Sequence, residues 1–369
     1  MRMEMKMEIE METITLKIDP IRPEPAAVKK AARFIKEGKL VVFPTETVYG
    51  IGADAFNPEA CARIFEAKGR PSDNPLIVTV GSLEQAQGIG KIPEEYIPAI
   101  KRIWPCPLTL IVDMNRKLPK EVTAGLETVA LRMPAHPVAL ELIKGSGVPI
   151  AAPSANISKK PTATNAQQAL RYFNGKVACI IDSGPSFFGI ESTIIDLRTF
   201  TILRPGPFTV EELEKAFGKK PKVSKVAKGV AEADVALSPG TKYKHYAPDT
   251  PLFLFYGGAE SLIDILSETE EAQAFAFIGS SESCKALSEI GCNTIALGAS
   301  KNLYEIAKNL YDGLILLDSM KVEFGIVESF MEEGIGLAIM NRVRKAASHN
   351  EFKDVEGLKK LLAEVSKSK

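Results

Sequence analysis

The residues best suited to chemistry in this 369-residue sequence gather where apolar runs end. Directly after the run Leu40 to Phe43 comes Pro44-Thr45-Glu46-Thr47-Val48-Tyr49-Gly50-Ile51-Gly52, a loop dense in hydroxyls and glycines. Open α/β sheets collect ligands on loops at the carboxyl ends of strands. Gly50 and Gly52 form no dinucleotide fingerprint, since no third glycine opens a helix, and a turn with Thr-capped amides accounts for the loop as well as a binding role does. The next cluster, Lys68-Gly69-Arg70-Pro71-Ser72-Asp73-Asn74-Pro75, sets two cations around a glycine at a helix end. Such cations either cap the helix dipole or converge on a polyphosphate, arginine as a planar fork and lysine as a point charge. The second duty would balance the charge that develops on a leaving pyrophosphate.

A third cluster, Pro153-Ser154-Ala155-Asn156-Ile157-Ser158, follows the apolar run Pro149 to Ala152 and precedes Pro161-Thr162. Small polar side chains on a Pro-fixed backbone suit a nucleotide or sugar, and equally an Asn- and Ser-rich turn. Arg132 and Arg204 each close an apolar strand, where a guanidinium needs an anion, whether a structural carboxylate or a substrate's. Glu191-Ser192-Thr193 leads into another strand. Taken together, Arg70, Arg132, Arg204 and Lys68 form an anion-binding set that core packing does not call for, so the expected ligand carries several negative charges.

Other chemistries are disfavoured. The chain has no G-x-x-x-x-G-K-[ST] loop, no G-x-S-x-G elbow, no H-E-x-x-H and only three histidines, His136, His245 and His349. Cys61, Cys106, Cys179, Cys284 and Cys292 are scattered, without metal-ligand or disulfide spacing, and no protein side chains are expected to hold a metal. Lys plus Arg number 46, as do Asp plus Glu, so no overall basic field advertises nonspecific nucleic-acid binding. With 45% hydrophobic and 25% charged residues and no apolar run of about 18 residues, the composition is that of a soluble, cytoplasmic protein.

The elements that must position these residues are readable from periodicity. Helices are expected at Glu24 to Gly38, Pro58 to Lys68, running into Trp104, Pro137 to Lys144 and Asn165 to Tyr172. Strands are expected at Leu40 to Phe43, Leu76 to Val80, Leu108 to Val112, Val129 to Met133, Pro149 to Ala152, Ala178 to Asp182, Thr193 to Leu197 and Thr201 to Arg204. The class is α/β, with a twisted mixed sheet flanked by helices. Residues 1–22 read as a leader, although the alternation of Met1 to Glu12 also suits an edge strand, 23–217 as a first domain, 218–250 as a linker rich in Lys, Gly and Pro, and 251–369 as a smaller Rossmann-like parallel α/β domain.

In this order, Pro44 to Gly52, Lys68-Gly69-Arg70-Pro71, Asn74-Pro75-Leu76, Trp104-Pro105, Pro107-Leu108-Thr109, Arg132-Met133-Pro134, Pro153 to Ser158, Ser192-Thr193 and Leu203-Arg204-Pro205-Gly206 resemble the YrdC-domain family. Ser238-Pro239-Gly240-Thr241-Lys242-Tyr243-Lys244-His245-Tyr246-Ala247-Pro248 resembles the interdomain linker of its two-domain branch, the threonylcarbamoyl-AMP synthases. That resemblance implies an ATP-dependent nucleotidyl transfer: L-threonine takes up bicarbonate, and the N-carboxylate attacks the α-phosphate and expels pyrophosphate. It also implies a downstream transferase that places the group on tRNA beside the anticodon. By resemblance, Thr47, Thr79, Arg132, Ala152 and Ser192 would hold L-threonine. Lys68, Arg70, Asn74, Thr128, Ser154, Asn156, Thr162, Arg204 and Ser238 would serve ATP, with a Mg2+ ion bridging phosphate oxygens. Tyr243, His245 and Tyr246 would form a lid. Two positions depart from the pattern: Thr79 stands where many relatives have histidine, and Cys106 stands where glycine is common. Cys106 would crowd its turn if the backbone there needed a positive φ. An RNA-binding or regulatory protein on the same domain is the rival reading.

Overall fold

The computed structural model describes residues 12–229, 246–266, 273–352 and 356–357. Two sheets organise them. The larger has twelve strands: β1 Ile14–Lys17, β2 Val41–Phe43, β3 Gly50–Asp54, β4 Ile77–Thr79, β5 Gly90–Lys91, β6 Leu108–Met114, β7 Thr128–Arg132, β8 Ile150–Ala151, β9 Cys179–Asp182, β10 Thr193–Asp196, β11 Thr201–Arg204 and β12 Lys222–Val223. Their order is β1-β9-β2-β3-β8-β4-β7-β6-β10-β11-β12, with β5 beside β6. Antiparallel pairs occur through its middle, at β2 with β3, β3 with β8 and β6 with β7, and again at β10 with β11.

Local sequence explains why the pieces stand where they do. The helix Pro25–Lys36 buries Val28, Ala31, Ala32 and Ile35, a 3.6-period stripe, against β2 and β9. The helix Pro58–Lys68 starts at Asn57, whose side chain accepts from Ala60 N, and stops at Gly69 in the left-handed conformation. That stop turns the chain out of the helix at Arg70, seven residues before β4 begins at Ile77. Gly52 lies in the sheet with Phe43 and Ile150 so near that a Cβ would stand 2.6 Å from Ile150 Cγ2, which is why the strand carries glycine there.

The smaller sheet is all parallel: β13 Leu252–Phe255, β14 Phe275–Ser280, β15 Asn293–Gly298, β16 Phe324–Glu328 and β17 Glu351–Phe352, in the order β15-β14-β16-β13-β17. Helices Gly258–Leu266, Ser281–Glu289, Leu303–Leu317 and Gly336–Ala346 flank it. Its core takes in Val48 and Ile190 of the larger unit, so the two halves share apolar burial.

Several expectations are corrected. The segment 1–22, read as a leader, contains β1, which pairs in parallel with β9 at the sheet edge; residues 1–11 lie outside the described residues. The short strands β3, β5 and β12 escape a period-based reading because two to five residues carry little pattern. The helix Gly336–Ala346 was missed because ten of its eleven residues are buried, the polar Asn341, Arg342 and Arg344 among them, so its polar residues do not mark a solvent face. Cys106 has no positive φ and donates its N–H to Met133 O at 3.1 Å, so the turn is not crowded.

Candidate functional site

The ends of β4, β7 and β11 and the turn after β8 surround one cavity lined by Thr45, Tyr49, Arg70, Thr79, Arg132, Ala152, Ser154, Asn156, Glu191, Arg204 and Tyr246, among others. Backbone bonds fix its floor: Ile51 N donates to Pro153 O at 3.0 Å and Ala155 N to Tyr49 O at 2.8 Å. The loop after β2 and the Pro153–Ser158 turn are thereby sewn to the same strand. Gly206 permits a second close approach. A Cβ on it would stand 2.4 Å from Thr193 N and 2.6 Å from Glu191 O, so only glycine lets the chain after Arg204 pass behind Ser192.

Each cavity arginine is oriented by a group behind it. Arg132 Nη2 donates to Glu46 Oε1 and to Thr47 Oγ1, both at 2.8 Å, and Thr47 Oγ1 in turn shares a 2.8 Å bond with Thr45 Oγ1. Arg204 donates from Nε to Ser192 O at 3.0 Å and from Nη2 to Ser192 Oγ at 3.1 Å, while Thr109 shares a 2.8 Å bond with that hydroxyl. Arg70 Nη2 reaches the carbonyls of Asn74 and Pro75 at 3.3 and 3.4 Å. Lys68, 2% exposed, does not line the cavity. Its ammonium donates to Ser154 O at 2.5 Å, Asn156 O at 2.7 Å and Asn156 Oδ1 at 3.2 Å. Burial, followed by the charge of Arg70, pushes the Lys68 ammonium well below the ordinary lysine range, with Glu191 opposing.

Residues 33–206 match the family model described as "Telomere recombination", and residues 208–348 match "Threonylcarbamoyl-AMP synthase, C-terminal domain". The threonylcarbamoyl-AMP synthase of Pyrococcus abyssi is 44% identical over 90% of this chain and 97% of its own length. The chain belongs to the threonylcarbamoyl-AMP synthase family. The enzyme of the same name from Bacillus subtilis is 42% identical over 89% of this chain and 95% of its own. The crystal structure of P. abyssi Sua5 complexed with L-threonine superposes with a TM-score of 0.84, at 43% identity, over 93% of this chain and all of that one.

Within this threonylcarbamoyl-AMP synthase fold the sequence-expected residues fall into three groups. Thr79, Ala152, Arg132, Arg70, Ser154, Asn156, Arg204 and Tyr246 line the cavity; Thr79 donates its hydroxyl to Ile150 O at 2.9 Å. Thr47, Lys68, Asn74, Thr162 and Ser192 are buried without appearing in the lining, behind the residues that do. The amide of Asn74 has no hydrogen-bond partner at either atom although it is fully buried, an orphan beside Arg70 of the kind a ligand satisfies. Thr128 is not part of the cavity lining: it opens β7, four residues from Arg132, at the other end of a strand about 13 Å long. Ser238, Tyr243 and His245 lie outside the described residues.

Three contributors were not expected. Glu191 lines the cavity as its one carboxylate among the described residues. Tyr311 and Arg342 come from the smaller unit to meet it: Tyr311 OH donates to Glu191 Oε2 at 2.8 Å, and Arg342 Nε and Nη2 donate to the same oxygen at 3.2 Å. Thr162 donates to Oε1 at 2.8 Å, and the Tyr246 ring stacks on Tyr311 with centroids 5.2 Å apart. Burial works to raise the Glu191 carboxyl, but Arg342 and Arg204, with the two hydroxyls, outweigh it and hold it at about 2. Glu191 was visible beside Ser192 in the sequence. Arg342 carried no signal, being one of several polar residues in a helix 151 residues away.

Among the described residues no group of three or more His, Cys, Asp or Glu could hold a metal ion, and no helix is long and apolar enough to cross a membrane.

Proposed function

We propose that this chain is an L-threonylcarbamoyladenylate synthase: ATP, L-threonine and bicarbonate give threonylcarbamoyl-AMP, pyrophosphate and water. The observation that carries the reading is the meeting of Arg70, Arg132 and Arg204 with Ser154 and Asn156 in one cavity. Three guanidiniums from separate elements match a reaction whose reactants are all anions or carry a carboxylate. In this assignment Arg132 takes the threonine carboxylate, held in place by Glu46 and Thr47, with Thr79 and Ala152 beside it. Arg70, Arg204, Ser154 and Asn156 face the triphosphate. Lys68 braces the Ser154–Asn156 turn through three hydrogen bonds, and the unpartnered Asn74 amide completes the phosphate side. The threonine amine takes up the bicarbonate carbon with loss of water. One oxygen of the resulting carbamate then bonds to the α-phosphorus as the bond to pyrophosphate breaks. The chain's task is positioning and charge stabilisation, without a covalent enzyme intermediate.

A Mg2+ ion would arrive with the triphosphate, whose oxygens suit it as ligands. Residues 23–217 serve as the catalytic domain, 218–250 as linker and lid with Tyr243, His245 and Tyr246, and 251–369 as the second domain, in the cytoplasm. The activated group passes to a transferase acting on tRNA. The test supplies purified protein with radiolabelled bicarbonate. Label should enter a nucleotide adduct, with pyrophosphate released, only when ATP and L-threonine are both present. Label uptake without threonine, or no adduct together with tight RNA binding, overturns the reading.

A further inference from the structure

The arginine cavity contains one charge of the wrong sign. Glu191, 4% exposed, is the carboxylate in a wall otherwise built to receive anions. In a site sheltered from water, an uncompensated carboxylate would repel a polyphosphate and draw off the field of the nearest arginine. Arg342 meets that carboxylate from the other half of the chain. It is 0% exposed, donates twice to Glu191 Oε2 at 3.2 Å and to the Glu191 carbonyl at 3.3 Å, and also bonds the carbonyl of Pro205, the residue after Arg204. Arg204 meanwhile has its Nε and Nη2 on Ser192.

We infer that Arg342 is the counter-ion that cancels Glu191 in the cavity wall, so that Arg204 keeps its positive charge for the phosphates of the nucleotide. It is a positioning residue, contributed by the smaller unit to a site in the larger one, and its importance lies in charge balance rather than in joining the halves. The joining has separate anchors: Thr164 Oγ1 and Gln168 Nε2 on Asp312 Oδ1 at 2.6 and 2.7 Å, and Asn341 Nδ2 on the Ala227 carbonyl at 3.0 Å. The low pKa of Glu191 agrees, since a carboxyl at about 2 is ionised whenever the enzyme works and must always be balanced.

The inference rests on the proposed ATP site, and calorimetric titration with ATP at saturating L-threonine separates the two. Arg342→Met should weaken ATP at least about tenfold, and Glu191→Gln/Arg342→Met should restore it to within about threefold of the native chain, because removing both charges rebalances the wall. Arg342→Lys should fall between. Glu191→Gln alone should bind ATP as tightly as the native chain or more so. A double variant as weak as Arg342→Met, or a Glu191→Gln that loses tenfold, overturns the inference. Should Arg342→Met fail to fold, as judged by its melting, the double variant and Glu191→Gln still decide. A native chain that binds no ATP sinks the proposed function instead.

Discussion

At the carboxyl ends of β7 and β11 the larger sheet presents Arg132 and Arg204 to a cavity, whereas at the carboxyl ends of β14 and β16 the smaller sheet closes on itself. There Glu328 accepts from Ser280 N through Oε2 and from Ser283 Oγ through Oε1, both at 2.6 Å. Its carboxylate occupies the amino end of the helix Ser281–Glu289, the place where a doubly wound sheet offers backbone N–H groups to a phosphate. A Cβ on Gly279 would stand 2.5 Å from Glu328 Oε2, so the carboxylate is packed in closely. Equivalent positions in two sheets thus have opposite electrostatic character: one is kept open by cations held from behind, the other is filled by an internal anion. The strand-end rule tells where a ligand can go, and the charge there tells whether one does.

The largest effect expected from disturbing this contrast is on the open side. Arg70→Ala or Arg204→Ala should lower threonylcarbamoyl-AMP formation by roughly 10²–10³, since each removes a fixed cation from the developing phosphate charge; steady-state assay of adduct or pyrophosphate measures it, and near-native turnover would reduce these residues to helix or strand caps. Arg132→Ala should act on a different parameter, raising the KM for L-threonine by about tenfold to a hundredfold with a smaller change for ATP. An equal rise for both substrates would show that Arg132 is not devoted to the amino acid.

Stability effects come next. Glu191 has its carboxyl at about 2 against an ordinary 4.5, so its contribution is fully present above pH 4.5 and is lost as the pH falls towards 2. By linkage that is on the order of 3 kcal/mol. Acid unfolding of Glu191→Gln should therefore be less steep than that of the native chain between pH 4.5 and 2, and parallel curves would deny the carboxylate this role. The smallest change is expected on the closed side: Glu328→Ala should cost about 1–2 kcal/mol in denaturant or thermal unfolding and leave turnover unaltered. A drop in turnover there would show that the small sheet's end takes part in the reaction.

Much of the arrangement was legible in the sequence, for identifiable physical reasons. Buried strands such as Val41–Phe43 and Leu108–Met114 are long or apolar enough to read directly, and the arginines stood out because each interrupts such a run at its end. What could not be read was depth. Thr47, Lys68 and Ser192 were assigned to ligands, yet in the fold they stand behind Arg132, the Ser154–Asn156 turn and Arg204. A sequence gives the neighbourhood of a polar residue but not which of two stacked rows it occupies. Thr128 shows the limit of proximity along a strand, since it shares β7 with Arg132 but stands at its opposite end. Arg342 shows the limit of local pattern, because its partner lies in another unit and nothing in the mixed polar and apolar sequence of its helix marks which of its cations is buried.

The edge strand β1 has a consequence for how the chain is made. It lies parallel to β9, and Ser183 Oγ closes that edge by donating to the carbonyl of Ile18, 165 residues earlier. A ribosome adding about 5–20 residues per second needs roughly 10–30 s to deliver the partner. Throughout that interval the amino-terminal strand has emerged with nothing to pair with. The first of the described strands to be synthesised is thus among the last to be placed, so the sheet is assembled from its middle outwards rather than in the order of translation.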